Sequence, residues 1–178
     1  MNPPNLITIM RAVMVPFVFW CLMTGRMQLA LALFVVAGAS DALDGYLAKR
    51  FSWQTELGAY LDPVADKLLL LSVFIALGTL KALPLWLVVA VVSRDILIIV
   101  AVVVSWLMNH PVRIQPHMLS KAHTLAQIVL ASAVMANLGF GLGLDGFVLV
   151  LVWTTGLLTV LSLAAYLRTW LDHMSRAE

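Results

Sequence analysis

The sequence predicts an all-α integral membrane protein with six transmembrane helices and both termini on the cytoplasmic side. Three observations lead there. Of 178 residues, 62% are hydrophobic and 11% charged, whereas a soluble domain carries about a quarter charged residues. The mean hydropathy is +1.00, and one soluble core of this length has too little interior to hide so much apolar surface. The apolar residues also gather into six runs of the length a bilayer demands, about 20 residues each. This composition excludes intrinsic disorder, a disulfide-rich secreted fold and a nucleic-acid-binding domain. The net charge of +2 gives no reason to expect a polyanionic partner.

The spans read as about 5–25, 27–50, 57–80, 83–108, 119–142 and 144–171. In the first, Arg11 precedes an apolar stretch in the manner of a signal peptide. No small-x-small cleavage site follows before Thr24-Gly25-Arg26, so the segment is expected to be retained. Its lone cysteine, Cys21, is expected to pack as a small hydrophobe. The second and third spans flank the charged stretch holding Lys49, Arg50 and Glu56. Pro84 ends the third, His110-Pro111 and Pro116 the fourth, and Gly141-Leu142-Gly143 the fifth. Nothing marks a soluble domain, a low-complexity segment or an internal repeat, so residues 1–178 read as one transmembrane domain.

Charge sets the orientation. With six spans, the side shared by both termini carries Arg11, Lys49, Arg50, Arg113, Lys121, Arg168 and Arg176, and the other side Arg26 and Lys81. Seven against two places the termini in the cytoplasm. Trp53, Trp106, Trp153 and Trp170 are expected at the membrane interfaces. Thr154, Thr155 and Gly156 give the last helix a small-residue face for close helix contact, a dimer contact included.

The acids are concentrated. Asp41, Asp44, Glu56, Asp62 and Asp66 fall within 26 residues around the second loop. Asp41 and Asp44 are spaced i, i+3 on the second helix, and Asp62 and Asp66 i, i+4 on the third, so each pair shares one helix face. A tight connection makes these helices antiparallel neighbours whose four carboxylates can converge. Intramembrane acids face a polar cavity or a partner, and the nearby cations are few: Lys49, Arg50, Lys67 and Arg94. A divalent metal is the simplest neutralisation, and all-oxygen ligands suit Mg²⁺, Mn²⁺ or Ca²⁺ rather than zinc. A structural polar network or a cation-conduction path would use the same residues. Gly45 and Gly58 allow close approach of backbone to a ligand or of helix to helix, and Lys49 and Arg50 suit either a phosphate-bearing substrate or membrane anchoring. The four histidines have no metal-ligand spacing, and no H-x-K-x4-D element of the phospholipase-D type is present.

Asp41-Ala42-Leu43-Asp44-Gly45-Tyr46-Leu47-Ala48-Lys49, followed by Gly58, Asp62 and Asp66, resembles the signature of the CDP-alcohol phosphotransferase family, D-x2-D-G-x2-A-R-x8-G-x3-D-x3-D. Seven fixed positions match at the required spacing. The departure is Lys49 in place of arginine, which keeps the charge but loses the bidentate fork. The resemblance implies transfer of a substituted phosphate from a CDP-linked donor to an alcohol, with release of CMP. It implies that Asp41, Asp44, Asp62 and Asp66 hold two Mg²⁺ or Mn²⁺ ions and that Asp66 is the general base, although a purely metal-holding Asp66 explains the spacing as well. Gly45, Ala48, Lys49 and Gly58 would line the donor site. Asn5, Thr8 and Arg11, in an opening segment also similar to the family's, would approach the nucleotide unless that segment is simply an anchored helix start.

Arg50, Arg94 and Lys121 are the candidates for the acceptor's phosphate, against an Arg94–Asp95 structural pair and an interfacial Lys121. Ser93-Arg94-Asp95-Ile96 and Pro116-x4-Lys121-x2-Thr124-x2-Gln127 are similar to segments of eukaryotic-type CMP-forming cardiolipin synthases. The expected reaction therefore joins CDP-diacylglycerol to phosphatidylglycerol in the cell inner membrane, with the site facing the cytoplasm. Glycerol 3-phosphate is the alternative acceptor, giving a phosphatidylglycerophosphate synthase. A divalent-cation transporter is the alternative of another class, disfavoured because the outer side offers only Arg26, Lys81 and Asp145. A homodimer is expected from the resemblance alone.

Overall fold

A computed structural model describes the backbone of residues 3–51, 56–107 and 118–174, and side chains at 10, 11, 13–40, 67–98, 100 and 118–170. It contains six helices: α1 (Pro3–Met23), α2 (Met27–Phe51), α3 (Glu56–Thr79), α4 (Leu85–Leu107), α5 (Met118–Phe140) and α6 (Asp145–Met174). Each expected run is one helix. Among the described residues, Met118–Phe140 and Asp145–Trp170 are long and apolar enough to cross a membrane, and shorter apolar stretches occupy Val13–Met23, Met27–Ser40 and Lys67–Thr79.

The chain divides into two compact units. The first holds residues 1–82 and 131–145, the second 83–130 and 146–178, so α5 contributes its last turns to one and its first turns to the other.

In the first unit α1 packs against both α2 and α3. Its core is aliphatic and aromatic, with Val18, Leu22, Phe34, Val73, Phe74, Leu77 and Met135 buried. Cys21 is buried there as a free thiol, the small hydrophobe its surroundings led one to expect. The helix ends explain where the apolar runs break. After α1, Arg26 N–H bonds to Cys21 C=O at 2.8 Å and Gly25 N–H to Leu22 C=O at 3.0 Å, with Gly25 at φ +74°. This double C-cap needs a left-handed residue, which glycine supplies without strain. The same pair of bonds ends α3, from Ala82 N–H to Leu77 C=O and Lys81 N–H to Gly78 C=O, but here Lys81 takes φ +58° and bears the Cβ penalty. At the end of α5, Gly141 N–H caps Asn137 C=O at 2.9 Å. The Asn137 side chain then accepts from Leu144 N–H and donates to Asp145, both at 2.8 Å, which closes the turn into α6.

In the second unit, Leu87, Val91 and Leu130 are buried. Trp86 of α4 lies against Trp153 of α6, ring centroids 5.3 Å apart and tilted by 35°. The small residue beside them has a use: a Cβ on Gly156 would stand 2.9 Å from the Trp86 ring. The close approach expected at Gly156 is thus made by a tryptophan of the same chain, and Thr155 beside it is fully buried. Gly156→Ala is expected to lower unfolding stability by about 1–3 kcal/mol through overpacking. Adding Trp86→Leu should recover most of that loss in a double-mutant cycle, whereas additive losses would place the effect elsewhere.

Candidate active site

Asp41 and Asp44 lie on helical backbone of α2, and Asp62 and Asp66 on that of α3. The helical geometry keeps each pair on one face, as its spacing requires. Both helices belong to the first unit and both pack on α1. The side chains of these four aspartates lie outside the described residues, as do those of Asn5, Thr8, Gly45, Ala48, Lys49, Arg50 and Gly58. Among the described residues, no three His, Cys, Asp or Glu side chains gather as a metal site. A donor set of four carboxylates, carried in pairs on single helix faces, fits a hard divalent cation. Arg11 is described and is 2% exposed. Its side chain is therefore enclosed by the protein.

The second unit encloses a polar interior unusual for so apolar a chain. Arg94 and Asp95 of α4, His123 and Gln127 of α5, and Thr155, Thr159 and Ser162 of α6 are all buried, and Tyr166 of α6 is 8% exposed. Arg94 is the hub. It donates from Nη1 to Asp95 Oδ1 at 2.6 Å, and from Nη2 to the hydroxyl oxygens of Ser162 at 2.6 Å and Ser120 at 3.1 Å. One guanidinium thereby joins three helices, and its charge is balanced by Asp95 within a buried ion pair. Its Nε has no partner among the described residues. Lys121, next to Ser120, is exposed.

A second chain of bonds fixes His123. The Thr159 hydroxyl gives its hydrogen to Thr155 C=O at 2.7 Å, and the same oxygen lies 2.9 Å from His123 Nε2. A hydroxyl has a single hydrogen, so Thr159 can only accept from the ring and Nε2 carries the proton. His123 is thus held as an oriented hydrogen-bonding group.

The structure brings Arg94 together with Ser162, which sequence reasoning passed over along with Thr159 and Tyr166, and gives Thr155, read only as a small residue, a place among buried polar groups. Thr155, Thr159, Ser162 and Tyr166 recur at intervals of 4, 3 and 4 along α6, so they form one polar stripe. That spacing was the available signal. It is easily missed because threonine and serine scarcely lower the hydropathy of a helix and bond to their own backbone, as Thr159 does.

Comparison with known proteins bears on what the two units do. The sequence profile of the CDP-alcohol phosphatidyltransferase family matches residues 1–164. The chain belongs to this family. Family members are membrane-bound enzymes of phospholipid synthesis and are generally metal-dependent. The chain is 34% identical over 175 residues to a probable CMP-forming cardiolipin synthase of Drosophila melanogaster, covering 97% of this chain and 50% of that protein. It is 32% identical to a CDP-diacylglycerol–glycerol-3-phosphate 3-phosphatidyltransferase of Bacillus subtilis, over 90% of this chain and 91% of that one. It is also 32% identical to a CMP-forming cardiolipin synthase of Streptomyces coelicolor, over 93% of this chain and 84% of that one. The chain spans about half the length of the animal relatives it matches. The relatives thus divide between cardiolipin synthases and glycerol-3-phosphate 3-phosphatidyltransferases.

Arg94→Met takes the guanidinium away from Asp95, Ser120 and Ser162 together. It is expected to lower unfolding stability by about 3–5 kcal/mol, because a buried carboxylate loses its counter-ion. Chemical unfolding in detergent measures this, and the double variant Arg94→Met with Asp95→Leu should regain most of the loss. An Arg94→Met protein as stable as the parent would show that the ion pair does not hold this unit together.

Proposed function

We propose that the chain is a phosphatidyltransferase that moves a phosphatidyl group from CDP-diacylglycerol to phosphatidylglycerol, giving cardiolipin and CMP. The observation that carries the reaction type is the aspartate signature of residues 41–66, complete in its carboxylates and spacing on two helices of a chain in this family. The acceptor is supported by Ser93-Arg94-Asp95-Ile96 and the Pro116–Gln127 pattern, together with the cardiolipin synthases of the fly and of Streptomyces among the relatives. Glycerol 3-phosphate is the second reading, favoured by the Bacillus relative, which matches over 90% of this chain and 91% of its own.

In this proposal the whole chain acts as one domain with six spans in the inner membrane, its termini and active site face the cytoplasm, and it works as a homodimer. Asp41, Asp44, Asp62 and Asp66 would hold two Mg²⁺ or Mn²⁺ ions, which supply charge stabilisation for the donor diphosphate. Asn5, Thr8, Gly45, Ala48, Lys49 and Gly58 bind the donor's nucleotide end. Arg50, Arg94 and Lys121 hold the phosphate of the acceptor. The Asp66 carboxylate takes the proton of the acceptor hydroxyl, whose oxygen forms a bond to the β-phosphorus. The bond from that phosphorus to the bridging oxygen breaks, and CMP leaves as a phosphate anion that needs no acid.

CMP release from CDP-diacylglycerol with Mg²⁺ or Mn²⁺ tests the reading. Turnover is expected with phosphatidylglycerol, with cardiolipin as the second product. Turnover only with glycerol 3-phosphate would make the protein a phosphatidylglycerophosphate synthase, and none with either would remove the proposal. Asp66→Asn should lower CMP release by about 10²–10⁴-fold while donor binding largely survives; retained turnover would strip Asp66 of the base role.

A further inference from the structure

Among the described residues of the second unit, Arg94 Nε and the hydroxyls of Thr155 and Tyr166 are buried donors without a hydrogen-bond partner. Arg94 Nε and the Tyr166 hydroxyl belong to one neighbourhood. Ser162 receives Arg94 Nη2 at 2.6 Å, Tyr166 follows one turn later on the same face of α6, and the Arg94 charge acts on the Tyr166 phenol. An arginine Nε–H can only donate, and the phenol is a donor as well. Buried donors left unpaired are costly and uncommon, and they call for an acceptor. A guanidinium N–H and a phenol O–H in one neighbourhood match a phosphoryl group, whose oxygens accept without competing as donors.

We infer that Tyr166 is a binding residue for the acceptor substrate, its hydroxyl donating to the phosphoryl group that Arg94 Nε also takes. The inference rests on the transfer reading above and adds a residue to it. The family match ends at residue 164, so Tyr166 lies outside the matched segment. The shared chemistry is a glycerol-linked phosphate, presented either by a phosphatidylglycerol headgroup or by free glycerol 3-phosphate. Both donors are closed off from solvent, so the anion reaches them by parting the side chains around them. That opening is made easier because the closed state leaves both unsatisfied.

Tyr166→Phe removes the hydroxyl and keeps the ring. With the full chain in detergent micelles, affinity for glycerol 3-phosphate and for phosphatidylglycerol in mixed micelles is measured for both proteins, alongside affinity for CDP-diacylglycerol and Tm. Whichever acceptor the parent binds should bind the variant about tenfold to a hundredfold more weakly, as for a lost hydrogen bond to a charged group. Donor affinity should hold, and Tm should hold or rise because an unpaired buried hydroxyl has gone. Equal acceptor affinity in the two proteins would overturn the inference, as would a parent that binds neither anion. A fall in Tm with donor and acceptor affinities declining together would make Tyr166 structural. CMP release by the parent, measured separately, decides the transfer reading whatever the binding result.

Discussion

The guanidinium of Arg94 has to be satisfied from within the protein, since it is buried in a helix made otherwise of valine, isoleucine, leucine and alanine for most of its length. Its carboxylate comes from the adjacent residue, and its hydroxyl partners from the first turn of α5 and the middle of α6. Each of those helices must present serine at the right height, which fixes their rotation about their own axes. The same face of α6 carries Thr159, which meets His123. A charge that is expensive to bury therefore specifies how three helices meet.

Each unit concentrates one kind of polar chemistry. The first carries paired carboxylates on α2 and α3 and a buried arginine on α1. The second carries an ion pair, hydroxyls, an imidazole and a phenol. The acids of the first suit the gathering of cations, whereas in the second the one described carboxylate, Asp95, is taken up by Arg94 and the remaining groups are hydroxyls, an imidazole and an amide.

Much of this was legible in the residues. The six helices follow from apolar runs punctuated by glycine and proline, and Gly25 and Gly141 cap α1 and α5 through bonds that require positive φ or a tight reversal. The end of α3 was legible only from Pro84 downstream, because the capping position itself holds Lys81, which no propensity would choose. The aspartate spacing pointed to the reaction type. The polar stripe of α6 escaped notice because serine, threonine and tyrosine blend into a helix of hydropathy 2.2. Their meaning depends on which helix faces them, a tertiary fact that no local pattern contains. Gly156 was read as a point of close helix contact, and Trp86 of α4 makes that contact.

The turn between α5 and α6 is closed entirely by neighbours in sequence. Asn137 spans the reversal by bonding its backbone to Gly141 and its side chain to Leu144 and Asp145. The closing bonds are local, so their loop-closure entropy is small, while Gln28 at the start of α2 ties the same nine residues to the rest of the first unit by donating to Gly139 C=O at 2.8 Å. The reversal can then form early, as a preset turn. The long-range work that remains is to seat Gly139 against Gln28 in one unit and, in the other, to present the hydroxyls that answer Arg94.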